Sequence, residues 1–67
     1  MSVAKITEIT SSSVESFDDA VNKGIRHAGK TLENVRSAWV KDLNMVVEKG
    51  KVTEYRVTMK VSFIVKD

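Results

Sequence analysis

From Tyr55 onward the chain alternates without a break, Tyr55, Val57, Met59, Val61, Phe63 and Val65 against Arg56, Thr58, Lys60, Ser62 and Ile64. Side chains two apart share a face of a strand, so this pattern predicts a long half-buried strand. The stretch Ser37–Val47 reads as another strand, joined to it through Glu48-Lys49-Gly50-Lys51, where Gly50 can take positive φ. The two strands form a hairpin. Ahead of them the spacing changes to three or four, through Phe17, Ala20, Val21, Gly24, Ile25, Ala28, Leu32 and Val35. That is the apolar stripe of an amphipathic helix, with Asp18, Asn22, Arg26, Lys30 and Glu33 on the polar side. Gly24 costs about 1 kcal/mol relative to alanine in a helix interior; its place in the stripe predicts close approach to a sheet. The serines Ser11-Ser12-Ser13 supply capping hydroxyls, and Ser12 followed by Glu15 has capping-box spacing, so the helix is expected to begin there. Residues Ser2 to about Thr10 mix β-branched Val3, Ile6, Thr7, Ile9 and Thr10 with charges, which suits a first strand at a sheet edge.

The predicted fold is α+β, in the order β-α-β-β. The helix returns the chain so that the first two strands run the same way, and the hairpin reverses the third. With the third strand in the middle, every neighbour is antiparallel: a three-stranded antiparallel sheet packed on one amphipathic helix. One helix of about five turns cannot cover such long hairpin strands. Trp39, Leu43 and Ile64 are left over and call for another subunit.

Length sharpens this expectation. A chain of 67 residues is one domain at most, spanning 1–67, and buries only about 60% of the surface its unfolded form exposes. It has no cysteine, which removes disulfides and thiolate metal sites as reinforcements and leaves association. Eleven Lys and Arg stand against nine Asp and Glu. On the helix the order is acidic first (Glu15, Asp18, Asp19) and basic last (Lys23, Arg26, Lys30), which complements the helix dipole. There is no basic stripe with interleaved aromatics, so no nucleic-acid partner is expected. No stretch approaches the roughly 18 apolar residues of a membrane span, and the opening residues do not resemble an export signal. A soluble, cytoplasmic protein is expected.

Catalytic chemistry has little to work with. The single histidine, His27, flanks the polar side of the helix with no second histidine or cysteine at ligand spacing, which reads as a surface residue. No glycine-rich phosphate loop is present, and serines at a helix start cap far more often than they attack. Asp18 and Asp19 are adjacent, so on a helix they diverge by about 100°. No enzyme is expected.

The segments Lys5-Ile6-Thr7-Glu8-Ile9, Ser12-Ser13-Val14-Glu15-Ser16-Phe17, Asp19-Ala20-Val21 to Lys30-Thr31-Leu32-Glu33-Asn34-Val35, and Glu54-Tyr55-Arg56-Val57-Thr58-Met59-Lys60-Val61-Ser62-Phe63 together resemble the dodecins, a family of small β-α-β-β proteins. The resemblance covers essentially the whole chain. It implies a hollow homododecamer that stores or buffers flavin, riboflavin or FMN, and turns over no substrate.

In that family a stacking aromatic opens the second strand and a glutamine in the third meets the edge of the flavin ring. The resemblance puts the aromatic's place at Ser37 and the glutamine's at Arg56. Serine offers no stacking face, and arginine donates hydrogen bonds without accepting them. A late arginine that helps hold phosphate in bacterial members falls on Ile64. Trp39, two residues beyond Ser37 on the same face, can present an indole to a displaced pocket or fill a subunit contact. For members without the aromatic the resemblance implies a cation, Ca²⁺ or Mg²⁺, with Glu15 and Asp42 at the matching acidic positions. Two carboxylates do not complete such a site, so waters or a neighbouring subunit would supply the rest.

Overall fold

The computed structural model describes residues 3–66. Four elements follow one another: β1 (Val3–Ser13), α1 (Phe17–Thr31), β2 (Val35–Glu48) and β3 (Lys51–Lys66). They form a sheet of order β1-β3-β2, both pairings antiparallel, with the third strand central as its alternation predicts. The expected start of the first strand at Ser2 lies outside the described residues.

The serine-rich junction differs from expectation. β1 does not stop near Thr10 but runs on through the triplet, whose members pair with Val57, Arg56 and Tyr55. Ser12 is therefore held in the ladder and caps nothing. The N-cap is Ser16, extended at φ −170° and ψ 167°, and its hydroxyl accepts from the Asp19 N–H at 3.0 Å. Buried Ser13 ties strand to helix: its hydroxyl accepts from the Glu15 N–H at 2.9 Å and donates to Asp19 Oδ2 at 2.6 Å. Lys23 Nζ reaches the same carboxylate oxygen at 3.0 Å. The Ser13 hydroxyl, and after it Lys23, hold the Asp19 carboxyl below its ordinary range.

The helix also ends before the stripe does. Leu32 is the C-cap, its N–H bonded to the Ala28 carbonyl at 2.8 Å, and Asn34 turns the chain at φ 59°, a left-handed conformation that asparagine tolerates. Glu33 thus leaves the helix's polar face, and Val35 opens β2 opposite Phe63. In the hairpin, Glu48 pairs with Lys51 across Lys49 and Gly50, both at positive φ (51° and 76°). Two consecutive positive φ values mark the turn whose twist matches the flanking strands.

The core is small. Ala20, Val57, Met59 and Val61 are fully buried, with Ile9, Phe17, Val21, Ile25 and Val35 packed around them. Phe17 meets Tyr55 edge to face, centroids 5.1 Å apart at 74°. Gly24 brings the helix down onto the sheet: a Cβ there would stand 2.6 Å from Met59 Cε and 3.0 Å from Ser11 Cβ.

Much of the sheet is not covered. The 15 residues of α1 span about 22 Å, whereas the 16 of β3 span about 54 Å. The helix lies over β1 and β3 more than over β2. Val40, Leu43 and Met45, paired with Met59, Val57 and Tyr55 on the helix side, remain about half exposed. The radius of gyration is 13.8 Å, against about 11 Å for a globular domain of this length.

Two predictions follow from the helix–sheet contact and its entry turn. At fixed protein concentration Gly24→Ala lowers the thermal midpoint, because Met59 is fully buried and Ser11 Cβ is anchored in the ladder. Gly29→Ala, with nothing within 4 Å of its new methyl, raises the midpoint through a helix-propensity gain of about 1 kcal/mol. A midpoint raised by Gly24→Ala would refute the close-approach account. Asp19 has a lowered native pKa, so its stabilisation is complete above the unfolded value and is lost as pH falls through the native one. Acid titration followed by circular dichroism should show Asp19→Asn to have a shallower fall in midpoint below about pH 5 than wild type.

Candidate functional site

Directly opposed residues of an antiparallel pair share a face. Since Val57, Met59 and Val61 face α1, the even-numbered Arg56, Thr58, Lys60 and Ser62 define the opposite, open face. Their partners on β2 are Asn44, Asp42, Trp39 and Ser37, and on β1 they are Ser12, Thr10, Glu8 and Ile6. The site is a series of cross-sheet rows: Ile6-Ser62-Ser37, Glu8-Lys60-Trp39, Thr10-Thr58-Asp42 and Ser12-Arg56-Asn44.

A break in register places two of these residues there. Val40 pairs with Met59 and Asp42 with Thr58, leaving Lys41 as the extra residue of a bulge. In an unbroken strand Asp42 would follow Val40 onto the helix side. The bulge moves Asp42 and Asn44 to the open face beside Trp39, and moves Leu43 to the helix side. Lys41 reaches across the sheet to Glu8, Nζ to Oε1 at 3.0 Å.

Ser37 stands where the resemblance puts a stacking aromatic, and its hydroxyl is hydrogen-bonded to that of Ser62 at 2.7 Å. The pair satisfies itself and offers no ring face. Trp39, opposite Lys60, is 53% exposed. Arg56 lies opposite Asn44, and its Nε donates to Glu54 Oε1 at 3.1 Å. Arg56 and the Ser12 hydroxyl keep the Glu54 carboxyl below its ordinary range. Between the Trp39 and Arg56 rows, the Thr10 and Thr58 hydroxyls share a hydrogen bond at 3.3 Å. Ile64 pairs with Ala4 and gives its N–H to the Asn34 carbonyl, adding no charge.

Ser37, Trp39, Arg56 and Asp42 therefore share one face, and Glu15 does not join them. Glu15 lies in the turn after β1, on the opposite edge of the sheet from β2. Among the described residues no group of three or more His, Cys, Asp or Glu is placed to hold a metal ion. Within one subunit the donor set does not fit Ca²⁺, which takes six to eight oxygens. In the rows of the open face described above, Trp39 is the one aromatic side chain, and Ser37 contributes none. Sequence reasoning missed Asn44 and Lys60; Lys60 was readable from the β3 alternation, whereas Asn44 depends on the bulge. A separate open groove of about 380 Å³ between α1 and β1 is lined by Ile9, Gly24, Ala28 and exposed His27 among others, and holds none of the predicted site residues. Among the described residues no helix is long and apolar enough to cross a membrane.

Fold and site together define a small β-α-β-β protein whose sheet presents an exposed indole among hydroxyls, amide and charges. The dodecin family model matches residues 3–66. A calcium dodecin from Mycobacterium tuberculosis is 34% identical over 64 residues, 94% of this chain and 89% of its own. A dodecin from Streptomyces davaonensis superposes with a TM-score of 0.93 at 30% identity, over 98% of this chain and 97% of that one. The crystal structure of the Mycobacterium tuberculosis calcium dodecin, described as having a novel calcium-binding site, gives 0.81 at 31% identity, over 91% and 87%. The chain belongs to the dodecin family.

Proposed function

We propose that the protein is a non-catalytic, cytoplasmic ligand-sequestering subunit of a homododecamer, a single domain over 1–67 that binds flavin on the open face of its sheet. The half-exposed Trp39 carries this reading. A large indole on a polar face, beside Lys60 and Asp42 and away from the helix-side core, has the character of a stacking surface. Ser37 is withdrawn from that role by its bond to Ser62, so the ring moves one row along the strand. Assembly is supported by the uncovered apolar strip of Val40, Leu43 and Met45, which a second subunit would shield. Neither role needs a reacting group, in keeping with a storage or buffering protein.

A second reading, Ca²⁺ or Mg²⁺ binding, is favoured by the identity with a calcium dodecin. Glu15 and Asp42 lie on opposite edges of the sheet, so they would meet a cation only as contributions from different subunits.

Titration of wild type with riboflavin and FMN should quench flavin fluorescence at micromolar protein, and Trp39→Ala should weaken binding at least tenfold. Unquenched flavin removes the storage reading. Calorimetry with Ca²⁺ on wild type and Glu15→Ala decides the alternative, equal heats in both excluding Glu15 as a ligand. Leu43→Asp should shift light scattering from a large oligomer toward smaller species; a monomeric wild type defeats the assembly.

A further inference from the structure

Glu8 has two lysines within reach and is bonded to the more distant one. Its direct partner across the β1–β3 ladder is Lys60, and side chains opposed in this way start about 5 Å apart at Cβ. Its carboxylate is nevertheless held by Lys41, Nζ to Oε1 at 3.0 Å, although Lys41 stands on the far edge strand. The two edge strands are about 10 Å apart, two strand spacings. Covering that distance lays both side chains across β3, over the stretch that carries Thr58 and Lys60. Lys60 itself makes no ion pair among the described residues.

The bridge crosses the open face beside Trp39. Lys41 follows Trp39 by two residues, and Glu8, Lys60 and Trp39 form one row. As the extra residue of the bulge, Lys41 is released from the alternation that puts Val40 on the helix side, so its side chain can run along the open face to Glu8. A flat ring stacked on the indole and reaching over the centre of the sheet would meet the bridge. Both ends of the bridge are about half exposed, at 52% and 46%. Such a contact is weak and exchanges readily with other charges.

Resting on the flavin reading above, we propose that Lys41, Glu8 and Lys60 form an exchangeable strap over the ligand face. Glu8 on Lys41 closes the approach to Trp39, and Glu8 on Lys60 opens it. When Glu8 turns to Lys60 its carboxylate keeps a cationic partner, Lys41 swings out to solvent and the face is clear. One ion pair replaces another of the same kind, so the two arrangements lie close in free energy and a ligand shifts their populations. A ligand that binds the open arrangement alone has its apparent affinity reduced by the open fraction. An exposed ion pair moves such a balance about two- to fivefold, so the strap tunes access and does not seal the site. The two lysines act in opposite directions: Lys41 holds the strap shut and Lys60 draws it open. A general effect of positive charge beside the indole would give both lysines the same sign.

Trp39 is the single tryptophan of the chain, so its fluorescence reports on the strap without any ligand. With acrylamide, a small, flat and uncharged quencher, Lys41→Met and Glu8→Gln should each raise the quenching constant above that of wild type, and Lys60→Met should lower it. Raising salt should bring wild type toward the Lys41→Met value and leave that variant where it is. Riboflavin should bind Lys41→Met about two- to fivefold more tightly than wild type, and Lys60→Met more weakly. Lys41→Met and Glu8→Gln change the net charge in opposite directions, so agreement between them excludes a charge effect on assembly. Quenching unchanged in both, or raised in Lys60→Met as it is in Lys41→Met, overturns the strap. The expected quenching series without any binding of riboflavin supports the strap and defeats only the flavin reading.

Discussion

A helix of 15 residues laid on a strand of 16 covers well under half of its length, and the rest of this molecule is arranged around that mismatch. Where helix and sheet do meet, they meet closely, through Gly24, Ala20 and Ala28 on the helix and Met59 with its neighbours on the central strand. Small residues let the backbones approach, and the result is a core of very few fully buried side chains. Such a core is marginal for an isolated chain. The hairpin arm that escapes the helix keeps an apolar side, so the deficit and the surface that can make it good are two aspects of one geometry.

The second strand serves both faces, and the bulge at Lys41 divides its labour. On its N-terminal side the open face receives Ser37 and Trp39; on its C-terminal side it receives Asp42 and Asn44, while Leu43 and Met45 turn toward the helix side. A regular strand would have given the open face Lys41 and Leu43 and sent Asp42 toward the core side. One extra residue therefore keeps the apolar strip continuous on one side and assembles a mixed aromatic and polar surface on the other. The Lys41 side chain at the bulge is not idle either, since it spans the sheet to Glu8.

The fold was largely readable because its strongest signals are periodic. Unbroken alternation from Tyr55 to Phe63 identified the central strand, and the three-four stripe identified the helix and the close approach at Gly24. What misled was punctuation. Several serines precede the helix, any of which can cap, and only pairing of Ser12 with Arg56 removes it from contention in favour of Ser16. At the other end Leu32 and Val35 continue the stripe's spacing although the helix has ended, because a turn through Asn34 returns Val35 to the same core. At the site, Trp39, Arg56 and Asp42 were identified as candidates, and Trp39 and Leu43 were both read as left uncovered, without an assignment to faces. They lie on opposite faces, and nothing local to Lys41 announces the bulge that separates them.

The departures from the family pattern at Ser37 and Arg56 are better understood through Ser62 than one at a time. Ser62 lies on the open face yet is only 9% exposed, and its hydroxyl is paired with Ser37 at 2.7 Å. A large aromatic at position 37 would lie over Ser62 and take away its partner. A buried hydroxyl without a partner costs about 1–3 kcal/mol. Residues 37 and 62 are therefore coupled: an aromatic at 37 is compatible with a neighbour at 62 that carries no hydroxyl, and serine at 62 favours a hydrogen-bonding residue at 37. With the pair polar, a stacking surface of the kind proposed above would have to come from elsewhere on the face. Trp39 is the next residue in that direction. On the flavin reading proposed above, a ring moved by one row would no longer meet position 56 with the same edge, which would remove the reason for an amide there.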